Sequence, residues 1–333
     1  MTQISPAAPA ARSGAKLRAA GHPGIAIVLV GAALVGLELF AGSGVSEYYF
    51  LACYVIAQYV VLATAWNILG GYAGYVNFGV AGFFAVGCYT TIVLDQLIKP
   101  PLPVSILVAG AVAGLLGFGT GYLTLRLRGV FFSIATLALA MVLQTLIVNW
   151  SFVGGSRGAY VLRPDATAPF VSYVQFLLVV MTILGTMAVL IAAAVERSWI
   201  GMGLAAIRDD EIAAEASGVP GLRLKLIATT LSGALMGMAG APFPYFITYV
   251  DPPSAFSLAI AVNAIAMPLI GGTATWWGPV IGAVLLASAQ QILTVTISSA
   301  ANLLIVGILL VVFVTAAPSG VVGLVRRWRG GGS

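Results

Sequence analysis

"FVSYVQFLLVVMTILGTMAVLIAAAV", Phe170–Val195, runs for 26 residues without a charge, and twelve residues later comes "RDDEIAAEASGVPGLRLK", Arg208–Lys225. The first passage is long enough to cross a hydrocarbon core, which takes roughly 20 apolar residues. The second holds four of the ten acids of the chain, Asp209, Asp210, Glu211 and Glu215, within seven positions. Lipid does not accommodate such a cluster, so the pair reads as a membrane span opening into a loop that faces water.

The rest of the chain repeats the first pattern. Of its 333 residues 60% are hydrophobic and 8% charged, and 40 are glycine, with a mean hydropathy of +1.06. That composition belongs to polytopic membrane proteins rather than globular enzymes. Ten apolar stretches are long enough to be candidate spans: Gly24–Ala41, Tyr48–Gly70, Gly71–Leu94, Leu102–Leu125, Val130–Gly154, Phe170–Val195, Leu226–Val250, Ala255–Ile270, Trp276–Ile297 and Ala301–Ala317. The expected fold is all-α, with about ten transmembrane helices. Its parts are an N-terminal arm over residues 1–23, a transmembrane domain over 24–317 with a polar loop at 196–225, and a tail over 318–333. The arm carries Arg12, Lys16 and Arg18 and reads as retained, because the apolar stretch after it holds Glu38 and lacks a clear A-x-A cleavage site. Cys53 and Cys88 both lie in apolar stretches and read as small packing residues.

Cytoplasmic loops are enriched in Lys and Arg. With the N-terminus inside, ten spans leave only Lys99, Arg157 and Arg163 outside, against twelve basic residues inside. Both termini and the 196–225 loop are therefore expected in the cytoplasm. The net charge of +5 then reflects topology and not nucleic-acid binding.

Chemistry is sparse. No G-x-x-x-x-G-K-[ST] occurs, so the chain holds no phosphate-cradling P-loop. The one histidine, His22, lies in the arm, which leaves no His cluster for a metal or for acid–base catalysis. Within the spans the notable polar residues are amides. Asn67, Asn77 and Asn263 are candidates to line a pathway, Asn77 and Asn263 in particular because Gly- or Pro-rich sequence beside them breaks helices and frees backbone groups. The blander role for each is an interhelical hydrogen bond. Two glycine-rich passages, "GGYAGYVNFGVAG" at Gly70–Gly82 and "GGTATWWGPVIGA" at Gly271–Ala283, read chiefly as close-packing sequence, as do Gly233 and Gly237 at G-x-x-x-G spacing. Pro242 and Pro244 are expected to interrupt the seventh span. In the loop "GGSRGAYVLRPDATAP", Arg157, Arg163 and Asp165 are either solvated surface or a docking surface for an external protein.

Within the acidic loop, Asp209 is expected to cap a short helix with Asp210 and Glu211 in its first turn, and Gly218 and Pro220 to stop it. Ile212, Ala216 and Val219 then share one face. A helix this short is not stable alone.

Four passages resemble the LivM-type permease subunits of branched-chain amino-acid ABC importers. They are "AWNILGGYAGYVNFGVAGFFAVGCYTT" at Ala65–Thr91, "LRLRGVFFSIATLALAMVLQTLIVNW" at Leu125–Trp150, "IRDDEIAAEASGV" and "LIGGTATWWGPVIGA". The resemblance implies the ABC importer permease fold and a bacterial inner-membrane location. It also implies a second homologous permease, two cytoplasmic ATPases that bind ATP and Mg, a periplasmic binding protein, and no bond chemistry in this chain. Residues Arg208, Asp209, Asp210, Glu211, Ile212, Glu215, Ala216 and Gly218 fall in the family's ATPase-coupling segment. Val80 stands where many members have histidine. A branched-chain amino acid is the solute the resemblance implies, while similar permeases carry urea, short amides or aromatic acids. The alternative of another class is a self-sufficient urea or amide channel.

Overall fold

The computed structural model describes residues 23–40, 46–124, 127, 129–164, 170–296, 307–308 and 320–323. Among them the chain is helical almost throughout. The long helices are α1 (Pro23–Phe40), α2 (Glu47–Ala73), α3 (Val80–Leu97), α4 (Leu102–Thr124), α5 (Val130–Val148) and α6 (Tyr173–Arg197). Two shorter ones follow, α7 (Trp199–Asp209) and α8 (Glu211–Ala216), then α9 (Gly221–Gly240), α10 (Phe243–Ile247), α11 (Pro252–Ala255), α12 (Leu258–Gly271) and α13 (Gly278–Thr296). Among the described residues eight segments are long and apolar enough to cross a membrane, counting Gly221–Ile247 and Pro252–Gly271 as one each, and Gly278–Thr294 is a shorter apolar helix. The expected tenth span, Ala301–Ala317, lies outside the described residues but for 307–308.

Helix α2 is the centre of the bundle, packed by α6, α9, α12 and α13. Every residue from Val61 to Leu69 is buried, as suits a helix apolar on most of its surface, with Thr64 and Asn67 buried among them. Small residues set the closest crossings. Gly110, Gly114 and Gly117 of α4 face Met238, Ala234 and the Thr229–Thr230 backbone of α9, so the two run antiparallel. On α9, a side chain at Gly237 would run into Ala113 and the Ala109 carbonyl, and one at Gly87 of α3 into the Gly237 backbone. The G-x-x-x-G pair thus serves packing. At the rim, α1 is tied to α6 by Glu38: its Oε1 accepts from the Thr182 hydroxyl at 2.6 Å, and its carbonyl from Gln175 Nε2 at 2.8 Å.

Two boundaries differ from the sequence expectation, and a third break follows it. The second and third spans are not contiguous: α2 continues to Ala73, Gly74 turns left-handed at φ 75°, and α3 starts only at Val80. The fifth helix stops at Val148 instead of Gly154, because single 3-10 turns at Ser151–Val153 and Gly155–Arg157 replace it around left-handed Gly154. The seventh span is interrupted at Pro242, as its two prolines require: α9 ends at Gly240 and α10 begins at Phe243. Beyond α10, Tyr249–Val250 (β2) pairs antiparallel with Ala159–Tyr160 (β1).

Candidate functional site

The acidic loop folds as two helices. Ser198 ends α6 and caps α7, accepting from the Gly201 amide, and α7 continues through Asp209. Asp209 therefore cannot cap the next helix, contrary to the sequence expectation. Asp210 does so: it is extended at φ −159°, and its Oδ1 accepts from the amides of Ile212 and Ala213, both at 3.0 Å. Gly218 at φ 85° closes α8, where the Val219 amide reaches back to the Ala214 carbonyl at 3.0 Å. Only Ala214 of the helix is buried. Ile212 is 68% exposed, and Ala216 and Glu215 are also exposed.

The inward side of this loop is polar and tightly held. Glu211 Oε1 lies 2.8 Å from Lys225 Nζ, and its Oε2 accepts from the Tyr75 hydroxyl at 2.6 Å. Lys225, on the first turns of α9, is 2% exposed; its ammonium also reaches the Tyr75 oxygen at 3.2 Å and sits 4.8 Å from that ring's centre. Arg208 pairs with Asp209 at 3.5 Å, donates to the Gly71 carbonyl at 3.2 Å and lays its stem over Gly74. Glu196, at the end of α6, accepts from the Trp276 amide at 2.6 Å and the Tyr72 hydroxyl at 3.4 Å.

Those partners belong to the two glycine-rich passages, which the fold brings together at the α7–α8 end. A side chain on Gly71 would lie 2.8 Å from the Thr273 carbonyl. In the first passage residues 74–79 leave helical geometry, and local bonds hold them. The Asn77 side chain accepts from the Gly79 amide at 2.7 Å, and its carbonyl from Trp66 Nε1 at 2.9 Å. Ser133 and Thr136 of α5 bond the Val76 carbonyl and the Phe78 amide. In the second passage, Gly271, Gly278 and Gly282 let the α12 and α13 backbones meet.

The other amides are spread out. Asn67 is fully buried on α2, and its amide atoms have no close hydrogen-bond partner among the described residues. Asn263 of α12 donates to the Tyr59 hydroxyl at 3.2 Å and accepts from Gln290 Nε2 at 3.0 Å, bridging α2 and α13. At the β1–β2 end, Arg163 caps α10, with Nε donating to the Tyr245 carbonyl at 2.7 Å and the guanidinium also reaching the Phe246 carbonyl. The Arg157 carbonyl accepts from the Tyr249 hydroxyl at 2.8 Å. Asp165 lies outside the described residues.

Sequence reasoning passed over Tyr75, Glu196 and Lys225 as parts of this site. The available signal was Lys225 itself, flanked by Leu224 and Leu226 at a helix start, where an ammonium needs a partner.

A multi-span helical bundle with glycine-broken helices and an exposed short helix at one end is consistent with a membrane transport permease. Residues 48–314 match the family model described as the branched-chain amino acid transport system permease component, and the chain belongs to that family. It is 28% identical over 293 residues to the high-affinity branched-chain amino acid transport system permease protein LivM of Salmonella typhimurium, covering 80% of this chain and 68% of that one. LivM of Escherichia coli is 27% identical with the same coverage. A probable branched-chain amino acid transport permease LivH of Methanocaldococcus jannaschii is 26% identical, over 74% of this chain and 83% of the relative. No solved structure gives a significant match.

Proposed function

We propose that the chain is one permease subunit of an ATP-driven importer in the bacterial inner membrane, forming half of a pathway for a branched-chain amino acid. It works with a second homologous permease, two cytoplasmic ATPases that bind ATP and Mg, and a periplasmic binding protein that delivers the solute. The observation that carries this reading is α8: a capped helix too short to stand alone, with Ile212 and Ala216 exposed on one side and Glu211 anchored on the other. Such a face suits a cleft on a soluble subunit. ATP binding and hydrolysis there bias the pathway between outward-open and inward-open states. The substrate reading follows the similarity to the two LivM proteins. Arg157 and Asp165 are candidates to meet the binding protein, while Arg163 also has an internal capping role.

Reconstitution tests the whole. Uptake of leucine, isoleucine or valine into proteoliposomes is expected only with both permeases, the ATPases, ATP and Mg, and the binding protein. Downhill flux through the purified chain alone would make it a channel and overturn the proposal.

A further inference from the structure

The contacts of Glu211 reach past α8. Its carboxylate is shared between a buried ammonium on α9 and a hydroxyl on the residue that follows left-handed Gly74. Tyr75 in turn packs edge-on against Phe132 of α5, at 5.2 Å and 85°. The segment after it is bonded to α2 through Trp66 and to α5 through Ser133 and Thr136. One carboxylate thus connects a six-residue surface helix with α9, with the α2–α3 break and, through that break, with α5.

We infer that Glu211, Lys225 and Tyr75 form a polar latch that makes the α2–α3 break move with α8; all three are positioning residues for transport. The inference rests on α8 being the element the ATPases hold. Two physical points support it. Lys225 is buried, so its ammonium does not exchange Glu211 for water without being uncovered, and the ion pair holds through a displacement of α8 where an exposed pair would part. A break in a transmembrane helix is also where a small shift alters a pathway, since its backbone groups are not locked into a helical ladder. Arg208 provides a parallel tie from α7 to the Gly71 carbonyl, which keeps α7 in place when the latch is removed.

The test uses the complete importer. Lys225→Met, Glu211→Gln, the double variant and Tyr75→Phe are purified with both permeases and the ATPases, and solute moved per ATP hydrolysed is measured beside complex yield. The ATPases are expected to stay bound in all four. Uptake per ATP is expected to fall at least about fivefold in Lys225→Met, the low end of ordinary coupling between sites, and the double variant is expected to be no worse than the poorer single. Tyr75→Phe keeps the ring beside Lys225 but loses the hydroxyl, and should fall between. Wild-type uptake per ATP in Lys225→Met and in the double variant would overturn the latch, as would loss of the ATPases from all latch variants, which would make the trio a folding support for α8. An Ile212→Asp, Ala216→Asp variant run in parallel keeps the two readings apart. If it retains the ATPases and full uptake, the docking role of α8 fails; if it loses them while Lys225→Met stays fully coupled, only the latch fails.

Discussion

Ile212 gives the sharpest separation between what this chain needs to fold and what it needs to couple. The side chain is 68% exposed, and the buried residue of α8 is Ala214 on another face. Fully burying an isoleucine is worth about 1.5–3 kcal/mol, so covering the exposed two-thirds on docking contributes about 1–2 kcal/mol. Ile212→Ala should then weaken ATPase binding by roughly tenfold, at about 1.4 kcal/mol per decade. Ile212→Asp should do more, because a carboxylate without a partner is driven into an apolar contact at a cost of a few kcal/mol. The permease itself should hardly notice, since exposed substitutions away from packing stay within about 0.5 kcal/mol. Glu215→Lys, which reverses an exposed charge on the same helix, should cost about 1 kcal/mol or less and leave partial uptake. The assay is a titration of purified ATPase onto permease pairs in nanodiscs, alongside a thermal unfolding curve of the permease. Wild-type ATPase affinity in Ile212→Asp would refute the reasoning outright. A large drop in the melting temperature of that variant would show instead that Ile212 belongs to the fold.

In a Cys53→Ala, Cys88→Ala background, a cysteine at exposed Leu162 should react with an impermeant thiol reagent added outside intact cells, and one at exposed Ser217 should not; labelling of both from one side would overturn the topology. Asn263→Leu should lower uptake while assembly and basal ATPase activity persist, at a packing cost of about 1 kcal/mol for the bonds to Tyr59 and Gln290; unchanged uptake kinetics would reduce Asn263 to a packing residue. Gly237→Leu should cost at least about 1–3 kcal/mol by overpacking against Ala113 and the Ala109 carbonyl and show as lost folded yield, whereas Gly36→Leu, with open space around it, should not; equal yields would contradict the α4–α9 contact.

What was legible in the sequence follows the range of the forces that write it. Helix existence is set by runs of apolar residues, and the nine stretches before Ala301 each fall largely on helices. Breaks written by proline were legible too, since a missing N–H acts wherever it stands, and Pro242 does interrupt the seventh span. A break in the glycine-rich sequence beside Asn77 was expected, but its position at Gly74 was not legible, because glycine also serves close packing, and only the left-handed φ distinguishes the two uses. The cap of α8 slipped by one residue for a related reason. Asp209 and Asp210 both suit a cap, and the choice of Asp210 over Asp209 is made by α7, whose helix uses Asp209 first. The amides were legible as polar groups in spans but not as neighbours; Asn263 meets Tyr59 from 204 positions away, a contact no local pattern records.

The acidic cluster itself shows why reading it as one feature was incomplete. Its members divide the work by direction around two short helices. Asp209 pairs with Arg208 at the surface, Asp210 satisfies amides at the start of α8, Glu211 points inward to Lys225 and Tyr75, and Glu215 faces outward. Glu211 has its charge compensated by buried Lys225, and a buried pair is costly to break from one side because the remaining ion is stranded. In the proposed coupling role, such a pair lets α8 carry displacement from a soluble subunit to a helix break. The same logic applies to Glu196, which holds Trp276 and Tyr72 at the second glycine-rich passage. Carboxylates at the ends of α6 and α8 thus fasten both helix breaks to the α7–α8 segment.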